Sequence, residues 1–308
     1  MAVALRRKRT SSRSHVGLRR SRTFGYLLLA PAVLYIVGLV AFPFCLALYY
    51  SVSNVSVDDL TGHFIGLANF TDLLRDQIFL QSLQNTFVYT LVSAVCTSFL
   101  GTLLAFILLS NFKGKRLIRF FIILPWTIPV ALTLVSWRWM FDSQYSVINW
   151  ILLHLHILKG PFGIQWLGQP STAMPSVIAV NVWRNFPFGA IILLAGLTSI
   201  PPDIIDAARI DGAGFWRRYR SVMVPMMVPI LFIGLLFNLV FTFTDLTIVT
   251  ILTQGGPANA TQVLASYAFQ IGITSGDLSH GAATTLFLFP VLLVFSIIFL
   301  RQLRKKDI

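Results

Sequence analysis

Long apolar runs alternate with short polar intervals along most of this chain. Six runs approach or exceed the roughly 20 residues that carry a helix across a bilayer core. They lie at about 24–50, 86–110, 118–140, 175–198, 226–252 and 281–300. The first is too long for a signal peptide, and no convincing small-residue cleavage site follows it, so it reads as a retained helix. The intervals then predict a tail over 1–23, a loop over 199–225 and a short end over 301–308. The segment 141–174 is partly apolar and contains "SVINWILLHLHIL". His154 and His156 interrupt it, so a short helix on the outer surface fits better than a seventh span. The pattern predicts an all-α, polytopic membrane protein with six transmembrane helices over 24–300.

Composition agrees. Only 11% of the 308 residues are charged and 56% are hydrophobic, whereas soluble domains carry about 25% charged residues. The net charge of +13 could suggest nucleic acid binding, but its distribution gives a different explanation. Eight basic residues lie between Arg6 and Arg22, four between Lys113 and Arg119, four between Arg209 and Arg220, and four between Arg301 and Lys306, together 20 of the 24. With six spans these segments share one side, and lysine and arginine collect on the cytoplasmic side. Both termini and the loop 199–225 are therefore expected in the cytoplasm, with the lipid bilayer rather than nucleic acid as the partner. Trp137, Trp139, Trp150 and Trp166 suit an interfacial belt at the outer end of the third span. Cys45 and Cys96 sit in apolar runs and suggest neither a disulfide framework nor a zinc site.

Inside the spans, Pro31, Pro43, Pro125, Pro129, Pro187, Pro229 and Pro290 remove backbone donors and bend helices. Bent helices suit a transporter cavity, although proline is also common in ordinary membrane helices. Ala94, Ser98, Gly101 and Ala105 form one stripe of small residues on the second span, which reads as a packing face. Two charges are costly at membrane depth. Arg184 and Asp245 each lie about 10–15 Å from the outer end of their spans at 1.5 Å per residue, close enough in depth to meet. With Asn181, Asn185, Asn238 and Thr242 they could line a pathway for a hydroxyl-rich solute. A structural ion pair, or an Arg184 that snorkels outward, is the plainer alternative.

No phosphate-binding loop supplies energy: "KGKR" at Lys113–Arg116 lacks the preceding glycine and the hydroxyl residue. No metal-ligand grouping of histidines and no nucleophile motif appears, so no catalytic or metal site is expected. The protein is either passive or driven by a partner.

The loop 199–225 packs three aspartates and four arginines between two apolar runs. Pro201 and Pro202 suit a first helical turn. Asp203 and Asp206 complement its dipole, and Gly212 can end the helix in a left-handed conformation. Ala207 and Ala208 leave one face nearly flat. Phe215, Trp216 and Tyr219 place aromatic surface outside the lipid. This looks like a docking surface; the alternative is an amphipathic element resting on headgroups.

The spacing D-A-A-x3-G-x9-V-x-V-P, formed by Asp206, Ala207, Ala208, Gly212, Val222, Val224 and Pro225, resembles the EAA signature of permease subunits in binding-protein-dependent ABC importers. Asp206 stands where that family usually has glutamate. The blocks "IGLANFTDLL", "NTFVYTL", "ILPWTIPVALTLVSWRWMFD" and "LTQGGPANAT" resemble its carbohydrate branch, the maltose and glycerol-phosphate type. The resemblance runs from about residue 24 to the C-terminus. It implies a type I importer permease fold in the bacterial cytoplasmic membrane. It also implies a second homologous permease subunit, two ATP-binding cassette subunits and an extracytoplasmic solute-binding protein. The loop would insert a coupling helix into an ATPase cleft, with Phe215 and Trp216 beside the signature. ATP and Mg2+ would sit on those partners, and this chain would bind no cofactor. The implied cargo is a sugar or related polyol. The competing class is a stand-alone six-helix channel or secondary carrier.

Overall fold

The computed structural model describes residues 15–158 and 163–304, with side chains described for 24–158 and 163–302. The basic residues Arg6 to Arg13, Lys159, Lys305 and Lys306 lie outside the described residues.

The chain divides into two compact units, residues 1–49 and 50–308. The first holds α1 (His15–Ile36), a π-helical turn at Val37–Ala41, and most of α2 (Phe42–Ser51). Its apolar side chains, among them Leu28, Leu34, Val37 and Phe42, are exposed, as a lipid-facing helix requires.

The second unit opens with a two-residue hairpin, β1 (Ser53–Asn54) antiparallel to β2 (His63–Phe64). It is followed by α3 (Ala68–Leu73) and the 33-residue α4 (Gln77–Leu109). Asp76 caps α4 by accepting the Ile78 N–H at 2.8 Å. Then come α5 (Lys115–Thr127), α6 (Val130–Met140), α7 (Val147–His154) and α8 (Pro170–Thr198). The short α9 (Pro202–Ile210) and α10 (Phe215–Arg218) lead through a π-helical turn, Tyr219–Met223, into α11 (Val224–Thr244). The chain ends with α12 (Thr247–Leu252), α13 (Leu264–Phe269), a π-helical turn at Gln270–Thr274 and α14 (Leu278–Arg304).

Among the described residues, five helical segments are long and apolar enough to cross a membrane, and one bent pair raises the number to six. That pair is α5 and α6, which meet at 96° where the sequence pattern predicts one span over 118–140. The cause is Pro129, which forces the residue before it out of the helical region. Ile128 is extended at ψ 138° and Pro129 at ψ 127°. Among the described residues between α6 and α8 there is one short helix, α7, capped by the Ser146 hydroxyl, which accepts the Asn149 N–H at 3.1 Å; α8 already begins at Pro170, within the predicted outer segment.

The second unit is held together along α4, α8 and α11. A Cβ added at Gly101 would lie 3.2 Å from the Ala190 nitrogen and 3.3 Å from the Gly189 carbonyl carbon. Only glycine lets α4 and α8 come this close. Ala94 and Ala105 of the predicted stripe are buried with it, but Ser98 is exposed. Ser93 and Thr97, 0% and 2% exposed, take the buried positions instead.

The sequence blocks that suggested a family have structural jobs. Asn69 donates to the carbonyls of Ser51 and Ser53, both at 2.9 Å, and fixes the hairpin. Asn85 donates to the carbonyls of Asn259 at 3.1 Å and Gln262 at 3.0 Å. It thereby ties "NTFVYTL" to the loop that follows "LTQGG". That loop needs the tie, because Gln254, Ala258 and Asn259 all adopt positive φ.

Candidate functional site

Two regions carry the residues that the sequence singled out. The first is the turn between α8 and α11. Pro202 begins α9, and Asp203 lies in its first turn. The helix ends in a Schellman motif: the Gly212 N–H donates to the Arg209 carbonyl and the Ala213 N–H to the Ala208 carbonyl, both at 3.0 Å. Gly212 takes φ +75°, as that motif requires. Asp206 pairs with Arg209 on the next turn at 2.9 Å, and both side chains are well exposed.

One face of this element rests on the bundle. Ile205 and Tyr219 pack against a core of Ala105, Leu193, Leu197, Ile200, Met223 and Met227. Phe106 of α4 meets Phe215 at 5.4 Å and Tyr219 at 5.2 Å, both edge to face. The Arg218 guanidinium donates to the Ala213 carbonyl at 2.8 Å and so closes the turn. The opposite face is open: Ile210 is 86% and Trp216 75% exposed. Ala207 is exposed, Ala208 half-buried. Val222 and Val224 are half-buried and Pro225 is exposed where the chain enters α11. Of the three predicted surface aromatics, Trp216 is thus the one left largely free of the bundle.

The second region lies within the bundle. Asn181 of α8 is fully buried, and its amide donates to the Thr242 hydroxyl of α11 at 3.4 Å. Asn185 donates to the Asn181 side-chain oxygen at 2.7 Å and its carbonyl at 3.0 Å. Asp245 is not inside a helix. It occupies the break between α11 and α12 and accepts the Thr247 N–H at 2.7 Å. No ion pair joins Asp245 to Arg184 among the described residues, so the structural pairing raised by their matching depth is absent. The Arg184 Nε is buried without a partner. Asn238 lies closer to the α9 end of the bundle. It lines a cavity of about 60 Å³ with Thr97, Ser98, Thr102, Gly189 and Gly234, and its side-chain oxygen is also unpartnered.

Sequence reasoning missed two features. Tyr89 of α4 is fully buried, and its hydroxyl has no hydrogen-bond partner. Its only sequence signal was membership in the block "NTFVYTL". A cluster outside the spans was also missed: Asp72, Asp76, Asp277 and His280 border a hollow of about 280 Å³. Beside it the Tyr267 hydroxyl donates to Asp76. Burial first, then the Asp76 hydrogen bond and charge, push the Tyr267 phenol above its ordinary pKa. His280 and Asp277 pair at 2.7 Å.

Bent helices, a helix broken at a half-buried acid and a short helical element capping one end suit a helical membrane transport subunit. Residues 97–306 match the family described as binding-protein-dependent transport system inner membrane component, and the chain belongs to that family. The trehalose/maltose transport system permease protein MalF of Thermococcus litoralis is 30% identical over 92% of this chain and 94% of the relative. The sulfoquinovosyl glycerol transport system permease protein SmoG of Agrobacterium fabrum is 30% identical over 93% of this chain and 92% of its own length. Among solved structures, a bacterial ABC transporter involved in import of the acidic polysaccharide alginate matches with a TM-score of 0.80 and 21% identity. That match covers 94% of this chain and 98% of the other. The chain is therefore a membrane subunit of a binding-protein-dependent transport system, and it shares the fold of the alginate transporter's chain.

Proposed function

We propose that this chain forms half of the membrane pathway of a binding-protein-dependent importer and carries a sugar or related polyol into the cell. Energy comes from ATP and Mg2+ on two separate ATP-binding cassette subunits. A second homologous permease completes the pathway, and an extracytoplasmic solute-binding protein delivers the cargo. The termini and the loop 199–225 lie in the cytoplasm, where the positive charge of the tail, the loop and the C-terminal end is retained.

The observation that carries this reading is the α9–α10 element. Its inner face, through Ile205, Phe215 and Tyr219, is locked to α4, α8 and α11. Its outer face leaves Ile210 and Trp216 exposed beside arginines. An element joined rigidly to three spans and apolar on its free side suits the task of passing a partner's movement to the bundle. Asp206, Ala207, Ala208, Gly212, Phe215, Trp216, Val222, Val224 and Pro225 form or brace that coupling surface.

The pathway is lined by Asn181, Arg184, Asn185, Asn238, Thr242 and Asp245. Amides, a hydroxyl, a guanidinium and a carboxylate offer both donors and acceptors, as sugar hydroxyls need. Asn181 and Thr242 bind one another, so the cargo replaces internal hydrogen bonds when it reaches them.

The coupling claim is tested by co-purification. Ala207→Trp places a bulky ring on the exposed face of α9 and is expected to release the ATPase subunits from the detergent-solubilised complex, while the permease pair stays folded. Full retention of the ATPase would remove α9 from the coupling surface.

A further inference from the structure

Tyr89 is one of the largest fully buried side chains of the protein, at 0% exposure. It belongs to one buried apolar cluster with Leu134 of α6, Val177 and Val180 of α8, and Ile248 and Val249 of α12. Packing alone does not explain a tyrosine here, because its hydroxyl is buried without a hydrogen-bond partner. Buried tyrosine hydroxyls normally find one, and phenylalanine would fill the same space with no polar atom stranded.

The surroundings hold two further unmatched groups. Arg184 follows Val180 by one helical turn, and its Nε has no partner. Asp245 lies in the break just before Ile248 and Val249, with one oxygen bound to the Thr247 N–H. Arg184 and Asp245 do not pair with one another. A donor–acceptor hydroxyl on α4, a cation on α8 and an anion at the α11–α12 break thus border one buried cluster, the first two with unpartnered polar atoms. A molecule bearing neighbouring hydroxyls would satisfy all three together: the carboxylate accepts, the guanidinium donates, and the phenol does either.

We propose that Tyr89 is a further solute-contacting residue, its hydroxyl reserved for a sugar hydroxyl held between Arg184 and Asp245, and its ring closing the passage between α8 and α12 while the site is empty. The inference rests on the pathway reading above and adds to it a side chain from α4. Opening moves the ring out of its apolar nest and brings the hydroxyl to the cargo, so closure and recognition use the same side chain.

The test uses the complete complex with its binding protein in proteoliposomes. Uptake of radiolabelled trehalose, or of another disaccharide that the wild-type complex accumulates, is measured together with ATP hydrolysis. The binding protein sets the half-saturating solute concentration, so the informative quantity is sugar moved per ATP. Tyr89→Phe keeps the ring and loses the hydroxyl. It is expected to lower that ratio about three- to tenfold, the loss of one neutral hydrogen bond, with binding-protein-stimulated ATP hydrolysis retained. Tyr89→Ala removes the ring and is expected to admit labelled sugar without ATP. A wild-type ratio in Tyr89→Phe overturns the recognition, and a sealed Tyr89→Ala overturns the closure. Equal falls in uptake and hydrolysis in Tyr89→Phe mark a purely structural residue and also overturn the inference. Arg184→Ala and Asp245→Ala separate this from the pathway reading. If both keep the wild-type ratio, the pathway reading fails. If both lose it while Tyr89→Phe does not, the Tyr89 assignment alone fails.

Discussion

A Cβ at Gly212 would meet nothing within 4 Å, so space does not demand glycine there. The backbone does, through φ +75° and the two hydrogen bonds that close α9. Gly212→Ala is expected to cost about 1–2 kcal/mol at this turn and to fray the last turn of α9. Hydrogen exchange over residues 203–214 measures this: faster exchange there, with the spans unchanged, is the expected pattern. Asp206 presents the opposite situation. Its ion pair with Arg209 is exposed on both sides, and such pairs contribute about 0–1 kcal/mol. The shorter acid is tied to its own helix rather than extended toward a partner. Both residues were legible in the sequence because each sits in a dense local pattern. Tyr89 was not, since a tyrosine in an apolar run looks the same whether its hydroxyl meets lipid headgroups, a carbonyl or nothing. Residue counting placed Arg184 and Asp245 at matching depth, but depth does not fix the direction in which a side chain points.

Helices were easier to read than their breaks. Long apolar runs specify the helical segments, because only a helix satisfies its backbone in lipid. The break at Ile128–Pro129 was written in the sequence as a proline, yet Pro125, Pro187, Pro229 and Pro290 stay inside helices. Whether a proline bends or breaks depends on the neighbours that take up the freed carbonyls. Here Trp126 stacks on Phe188 at 4.9 Å and holds α5 against α8 on its own side of the break. The end of α11 at Thr244 carries no proline. Its signal is Asp245, whose carboxylate draws the Thr247 N–H out of helical pairing. The small-residue face of α4 is turned slightly from the predicted stripe: the Thr97 methyl, rather than Ser98, faces α8, 3.5 Å from where a Cβ on Gly189 would stand. Gly101 decides that contact. Gly101→Leu is expected to force α4 from α8 and to destabilise the subunit by at least the 1–3 kcal/mol typical of overpacked sites, whereas Val95→Leu, on the exposed side, leaves stability unchanged. Thermal unfolding of the two variants in detergent compares them directly.

At the scale of the whole molecule, the chain combines an exposed apolar helix in its first unit, a bundle built on α4, α8 and α11, and a rigid element across one end. The element order and membership of the importer family follow from apolar periodicity and from one spaced motif. The cargo does not follow, because the proposed recognition of hydroxyls draws on groups from three elements whose juxtaposition no linear pattern records. The bundle contains no phosphate-binding loop, while its α9–α10 element carries an exposed, apolar, braced surface. On the proposed coupling, the permease moves solute only when a motor drives it. The most direct test reconstitutes the chain with its partner permease in liposomes and measures sugar flux with and without the ATPase subunits and binding protein. The account predicts concentrative, ATP-dependent uptake by the full complex and no flux from the permease chains alone. Full flux from this chain by itself, without ATP, would contradict it.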